Sequence, residues 1–388
     1  MTSLKKLVMM LSIAVLVLSG CLGEVARETT PEIPKAITPP AVEIDPVEEE
    51  DGDEAAMSLE DKLWQLFYVT PEALNDGHEV TEVTERFFEN AKTYKVGGII
   101  LFERNVRDRN QVMELLGDLS VCFETPVFLG VDEEGGRVTR LSGACGVTDN
   151  GNMSDIETAS DARRVGERLG GELSGLGFNM DFAPVADVLI DPDNTEIGSR
   201  SFGFDPIDVA EKVGSEVRGM QRRGISSVMK HFPGHGSTSE NSHEGTSVSE
   251  RTLDQLRECE LLPFIAGIEA GADFVMISHM SLPEVVGDNT PCSLSQAIIT
   301  GLLREELGYS GIVITDAQNM GAVTIYGPDE AAVLAIEAGA DMVLMPDDLD
   351  AAYEGLLSAV TSGRITESRI DESIERILSL KRRMGLIV

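Results

Sequence analysis

Residues 57–388 read as one α/β unit, a TIM-like (β/α)8 barrel, and three observations predict it. Eight short apolar runs alternate with longer amphipathic stretches. The runs are nearly continuous in apolar residues, as expected of parallel strands buried on both faces. Four of them end in a polar residue, Asp132, His231, His279 and Asp316. Strand ends line the functional face of such a barrel, so four polar ends imply a site there. With 388 residues, 42% of them hydrophobic, the chain has ample material for a core of that size. An open doubly wound sheet is the alternative, but no Gly-rich phosphate loop opens its first unit.

Ser58 stands before Leu59, with Asp61 three positions on, and predicts a capped first helix. The predicted strands follow in order. They are 66–69, 98–102, 127–132, 179–184, 227–231, 274–279, 311–316 and 341–345. Ile370, Ile374, Ile377 and Leu378 follow helical spacing with Arg and Glu opposite, so the last predicted element is an amphipathic helix.

The first 56 residues read differently. Lys5 and Lys6 precede an apolar run, Leu7 to Leu18, that is too short to span a bilayer. A basic flank with a short apolar core predicts a secretory signal over 1–21. Its end, Leu18-Ser19-Gly20-Cys21, resembles a prokaryotic lipobox, which implies cleavage before Cys21 and lipid attachment to it; an ordinary signal peptide or an uncleaved anchor, with Cys21 incidental, is the alternative. The expected location is therefore outside the cytoplasm, on the membrane through that lipid alone. Residues 22–56 hold eleven acidic and two basic residues with many Pro. Their low hydropathy and high charge predict a disordered acidic linker.

The formal net charge is −36, which excludes nucleic acid as the natural partner, because phosphate binding needs a basic face. Beyond residue 56 the chain still holds 56 acidic and 27 basic residues, and over the whole chain lysines number nine against 22 arginines. Such acidity keeps a protein soluble in a salt-rich habitat. Cys122, Cys145, Cys259 and Cys292 are widely spaced without a CxxC, so no zinc site is expected, and isolated buried thiols are preferred to disulfides.

The most informative stretch is Lys230-His231-Phe232-Pro233-Gly234-His235-Gly236, followed by Glu240-Asn241-Ser242-His243. Pro and flanking Gly turn the chain sharply as it leaves a strand, placing Lys230 and His231 at the rim and predicting a Ser-rich loop over 236–246. Four of the five histidines lie between 231 and 279. Their spacing matches no metal motif.

This stretch resembles the signature of glycoside hydrolase family 3, in its single-domain β-N-acetylglucosaminidase branch. Four further blocks agree: Val131-Asp132-Glu133-Glu134-Gly135-Gly136-Arg137-Val138 with Arg140, Phe182 to Val188, Ile197 to Gly203, and Ile314 to Ala322. The resemblance implies a retaining exo-glycosidase that removes terminal β-linked N-acetylglucosamine and needs no metal or other cofactor. Asp316 would be the nucleophile and His243 the acid/base, a role suited to a group titrating near neutrality. Asp132, Arg140, Arg200, Lys230 and His231 would bind the sugar.

Several alternatives stand beside these roles. Asp316 could cap the following helix, and Asp132 with Arg140 could be a rim ion pair. Asp187 and His235 are read as structural, and His279 as a rim residue of open role. No sandwich domain follows the last helix in this sequence, which favours the N-acetylglucosaminidase branch. β-Glucosidase, broad β-hexosaminidase and phosphorolytic activities remain alternatives, as does a weakened surface glycan-binding protein. The natural partner is thus expected to be an amino-sugar glycan, and the protein a monomer.

One departure matters. The family has Asp two positions before the catalytic His, and here Asn241 stands in that histidine-orienting position. An Asn oxygen accepts the ring N–H but adds no negative charge, and losing the equivalent carboxylate in a Ser-His-Asp triad costs about 10⁴ in turnover. Asn241→Asp is expected to raise activity near neutral pH. An unchanged rate would remove Asn241 from the orienting role.

Overall fold

The computed structural model describes residues 57–238 and 247–387. The signal, Cys21, the whole of the linker, Asn241 and His243 lie outside the described residues.

The eight predicted runs are the eight strands of one parallel sheet. They are β1 (Phe67–Val69), β2 (Gly98–Leu101), β3 (Phe128–Val131), β4 (Met180–Asp181), β5 (Ser226–Phe232), β6 (Phe274–Ile277), β7 (Ile312–Thr315) and β8 (Val343–Leu344). Consecutive strands are neighbours from β1 to β7, and β8 pairs with β1. A parallel bridge between Ile314 and Met342 brings β8 back against β7, so the sheet closes into a barrel. Each strand is buried along its whole length, which explains why the sequence shows apolar runs and not alternation.

Ser58 caps the first helix, Leu59–Gln65, by accepting the Asp61 N–H at 3.1 Å. In the last helix, Glu367–Arg383, the predicted stripe of Ile370, Ile374, Ile377 and Leu378 is buried. Inside the barrel Tyr68 lies over Gly98 and Gly130, where a Cβ on the first would overlap its ring and on the second its hydroxyl, and meets Phe182 edge-on with centroids 5.3 Å apart. Cys122, Cys145, Cys259 and Cys292 are all free thiols. Among the described residues no helix is long and apolar enough to cross a membrane.

Candidate active site

A cavity of about 410 Å³ opens at the C-terminal ends of the strands. Asp132, Arg140, Arg200, Lys230, His231 and Asp316 all line it. The barrel therefore brings together every described residue that the sequence assigned to the site, from segments up to 184 positions apart in the numbering. Asp132 and Asp316 directly follow β3 and β7, Lys230 and His231 lie near the end of β5, and Arg200 ends a short 3-10 turn, Gly198–Arg200.

Lys230 is fixed by its backbone, which pairs with the segment after β4. Its carbonyl accepts from Ala186 N at 2.6 Å, and its N–H donates to Pro184 O at 3.2 Å. Its ammonium meets Asp132 at 2.7 Å and Glu134 at 2.5 Å. Burial alone pulls its pKa down, but the two carboxylates outweigh it and hold the group charged. Arg200 grips Glu134 through two parallel bonds of 2.8 and 2.9 Å, the strong bidentate arrangement. Burial opposes the Glu134 charge, yet Arg200 and Lys230 hold its carboxyl far below the usual carboxylate range. Arg140 is looser, 3.8 Å from Asp132, with its guanidinium over the Phe102 ring.

Asp187 holds the stretch that follows β4 against the end of β5. Its carboxylate accepts from His231 Nδ1 at 2.7 Å and from the His235 N–H at 2.6 Å. Nδ1 is therefore the protonated ring nitrogen of His231, leaving Nε2 to face Arg200 at 3.4 Å. Gly234, at φ 128°, makes the turn between the two histidines. Gly236 lies so close to the Val188 carbonyl that a Cβ would overlap it.

Asp316 is half-buried. Its N–H donates to Ile277 O at 2.8 Å, and its Oδ1 accepts from Ala317 N, also at 2.8 Å. The helix that follows, Gly321–Thr324, has Met320 at its N-cap, so Asp316 does not cap it. His279, buried, fixes the same turn by donating from Nε2 to Ala317 O at 3.0 Å, while its Nδ1 contacts Ser293 Oγ at 2.7 Å. Burial raises the Asp316 pKa, but the nearby His279 and His231, the Ala317 N–H and Lys230 reverse this and leave it below the ordinary value. The result is an ionised carboxylate beside a cluster of hydrogen-bond donors. That is what a nucleophile at a sugar's anomeric carbon requires.

Residues 58–380 match the Glycosyl hydrolase family 3 N terminal domain. The chain belongs to glycoside hydrolase family 3. Among relatives, a Beta-hexosaminidase of Stenotrophomonas maltophilia is 37% identical over 288 residues, covering 71% of this chain and 84% of the relative. Beta-hexosaminidase A of Pseudoalteromonas piscicida is 31% identical over 338 residues, 79% of this chain. The matched region spans only 56% of that relative's length. Among solved structures, a glycoside hydrolase family 3 beta-N-acetylglucosaminidase from Paenibacillus sp. superposes with a TM-score of 0.80 at 39% identity. It covers 85% of this chain and 63% of the Paenibacillus one.

The sequence reading of this family 3 site missed Glu134. The Glu133-Glu134 pair gives no hint that its two members differ. Glu133 Oε2 accepts the Arg140 and Leu141 N–H groups at 2.7 and 3.0 Å and holds the loop, whereas Glu134 holds the cations. Among the described residues no group of three or more His, Cys, Asp or Glu side chains is placed to hold a metal ion.

Proposed function

We propose that this family 3 glycoside hydrolase is an exo-acting, retaining β-N-acetylglucosaminidase that releases terminal non-reducing β-linked N-acetylglucosamine. The observation that carries the reading is Asp316, an ionised carboxylate on the wall of a cavity that Lys230, Arg200, His231 and Asp132 also line. The names borne by the Stenotrophomonas and Paenibacillus relatives support the choice of sugar.

In the first step an Asp316 oxygen bonds to the anomeric carbon as the bond to the leaving oxygen breaks. That oxygen takes a proton from His243, an assignment resting on the Ser242-His243 signature in the sequence. In the second step water gives its proton back to His243 and attacks the same carbon, which frees Asp316 and returns the original anomeric configuration. The charge of Asp316 offsets the positive charge that grows on the ring in both transition states. Lys230 and Arg200 donate to sugar hydroxyls or the acetamide oxygen, and Asp132 accepts from hydroxyls. The reading also takes the enzyme to be exported and held to the membrane by lipid on Cys21, and to act as a monomer.

Release of nitrophenol from β-N-acetylglucosaminide and β-glucoside substrates tests this, over a range of pH and salt, with Asp316→Asn alongside. Activity on the amino sugar that the variant lacks is expected. Activity chiefly on the glucoside would move the reading to β-glucosidase. No turnover of either, even in high salt or with phosphate, would leave the weakened glycan-binding protein.

A further inference from the structure

His235 has more to do than shape the loop after β5. Its ring lines the same cavity as Asp316, is only 2% exposed, and stands edge-on to His231 with centroids 6.0 Å apart. Its backbone N–H is taken by Asp187. Its Nδ1 lies 2.9 Å from the Thr238 hydroxyl, which also reaches the His235 carbonyl at 3.0 Å. Asn194 Nδ2 and Thr238 N donate to that carbonyl as well, at 2.9 and 3.3 Å, so the hydroxyl proton is free to turn to Nδ1 and either ring nitrogen can carry the ring proton. Nε2 has no hydrogen-bond partner among the described residues. A ring nitrogen left unpaired at that depth is an exception in folded proteins and calls for a partner that arrives from elsewhere.

We propose that His235 is a specificity-determining residue whose Nε2 makes a hydrogen bond with a hydroxyl of the bound glycan. The proposal rests on the cavity being the glycosidase site argued above. A sugar ring is the ligand class that offers hydroxyls, each able to donate or accept, on every side, and the partners already assigned do not use this nitrogen. Burial, helped by the neighbouring His231 ring, pushes the imidazole below its ordinary pKa and favours the neutral ring.

Two variants separate the ring's two ends. His235→Asn keeps a polar group near the Nδ1 position and deletes the far nitrogen, whereas His235→Gln returns a polar atom to that depth. Each is assayed beside wild type on the nitrophenyl N-acetyl-β-glucosaminide and its monodeoxy analogues. In wild type, removing the hydroxyl that meets Nε2 should lower kcat/KM by about tenfold. In His235→Asn the parent substrate should fall by about the same factor while that one analogue falls no further, and His235→Gln should recover part of the loss. Equal deoxygenation penalties in wild type and His235→Asn at every position would overturn the proposal.

A binding measurement keeps it independent of turnover. Nitrogen NMR of histidine-labelled wild type should show the Nε2 resonance of His235 moving when N-acetylglucosamine is added. An Nε2 indifferent to bound sugar also overturns the proposal. If no substrate turns over but the Nε2 signal follows added sugar, the glycosidase reading fails and the contact stands.

Discussion

The Glu134 carboxylate lies 2.5 Å from the Lys230 ammonium with both side chains buried. It also binds Arg200 in parallel, so one acidic group holds two of the cations assigned to the sugar. Glu134→Gln leaves Arg200 without its bidentate partner and Lys230 with Asp132 alone. Breaking a buried pair from one side costs about 3–5 kcal/mol, so the thermal midpoint should fall. KM should rise more than kcat falls, because the cations lose their aim before the nucleophile is disturbed. A midpoint and a KM like those of wild type would deny Glu134 this role.

Asp316 bears on the pH profile. Its folded pKa is depressed, so it stays ionised down through the ordinary carboxylate range. Asp316 should therefore set no acidic limb of kcat/KM near neutrality, and His243, which must carry its proton to act in the first step, is the sequence's candidate for the basic limb. Asp316→Asn should lose roughly 10⁴-fold or more in kcat. Asp316→Gly supplied with azide should regain turnover, forming the glycosyl azide of inverted configuration. Azide rescue that gave only free sugar would count against Asp316 as the attacking group.

The barrel was legible because burial on both strand faces removes any alternation, and no other common architecture needs eight such runs. The site was legible where chemistry falls at the end of a run, as at Asp132, His231 and Asp316. It was illegible where a role depends on a partner distant in sequence. Glu134 acquires its role from Arg200 and Lys230, 66 and 96 positions away, and nothing local distinguishes it from Glu133. Asp187 was read as structural, and its bonds to His231 and His235 fit that reading while also aiming the His231 ring. Buried charge far from the cavity was equally hidden, since one Lys in a basic helix end looks like any other.

Lys381 is that case. It lies in the last helix with its ammonium 2.7 Å from Gln65 Oε1 and above the Phe128 ring, and no carboxylate pairs with it among the described residues. Burial pushes its pKa down to about 7. Between about pH 7 and the unfolded value of about 10.4 the unfolded chain binds the extra proton, so stability climbs with pH through that window. Lys381→Met should flatten the climb and raise the denaturant midpoint at neutral pH and below. The expected gain is about 1–4 kcal/mol, reduced by about 1 kcal/mol for the unpaired Gln65 oxygen. Parallel pH dependences in wild type and variant would show that Lys381 does not titrate in this range.

Glu216 works in the opposite sense. It is buried in the helix Pro206–Gln221 with Oε2 unpartnered among the described residues, and burial, together with the Glu134 charge, pushes its pKa up to about 8. The folded protein therefore holds a proton that the unfolded chain releases above about pH 4.3, and stability falls as pH rises from there to about 8. Glu216→Gln keeps the shape and removes the ionisation, so it should stabilise the protein by about 2 kcal/mol or more above pH 8 and change little below pH 4. The second cause gives a sharper check. Because the Glu134 charge contributes to the shift, Glu134→Gln should draw the Glu216 pKa downward. The stability gained from Glu216→Gln at high pH should then be smaller in the Glu134→Gln background than in wild type. A double-mutant cycle of denaturant midpoints at high pH measures that difference, and strict additivity would mean that the two carboxylates do not sense one another.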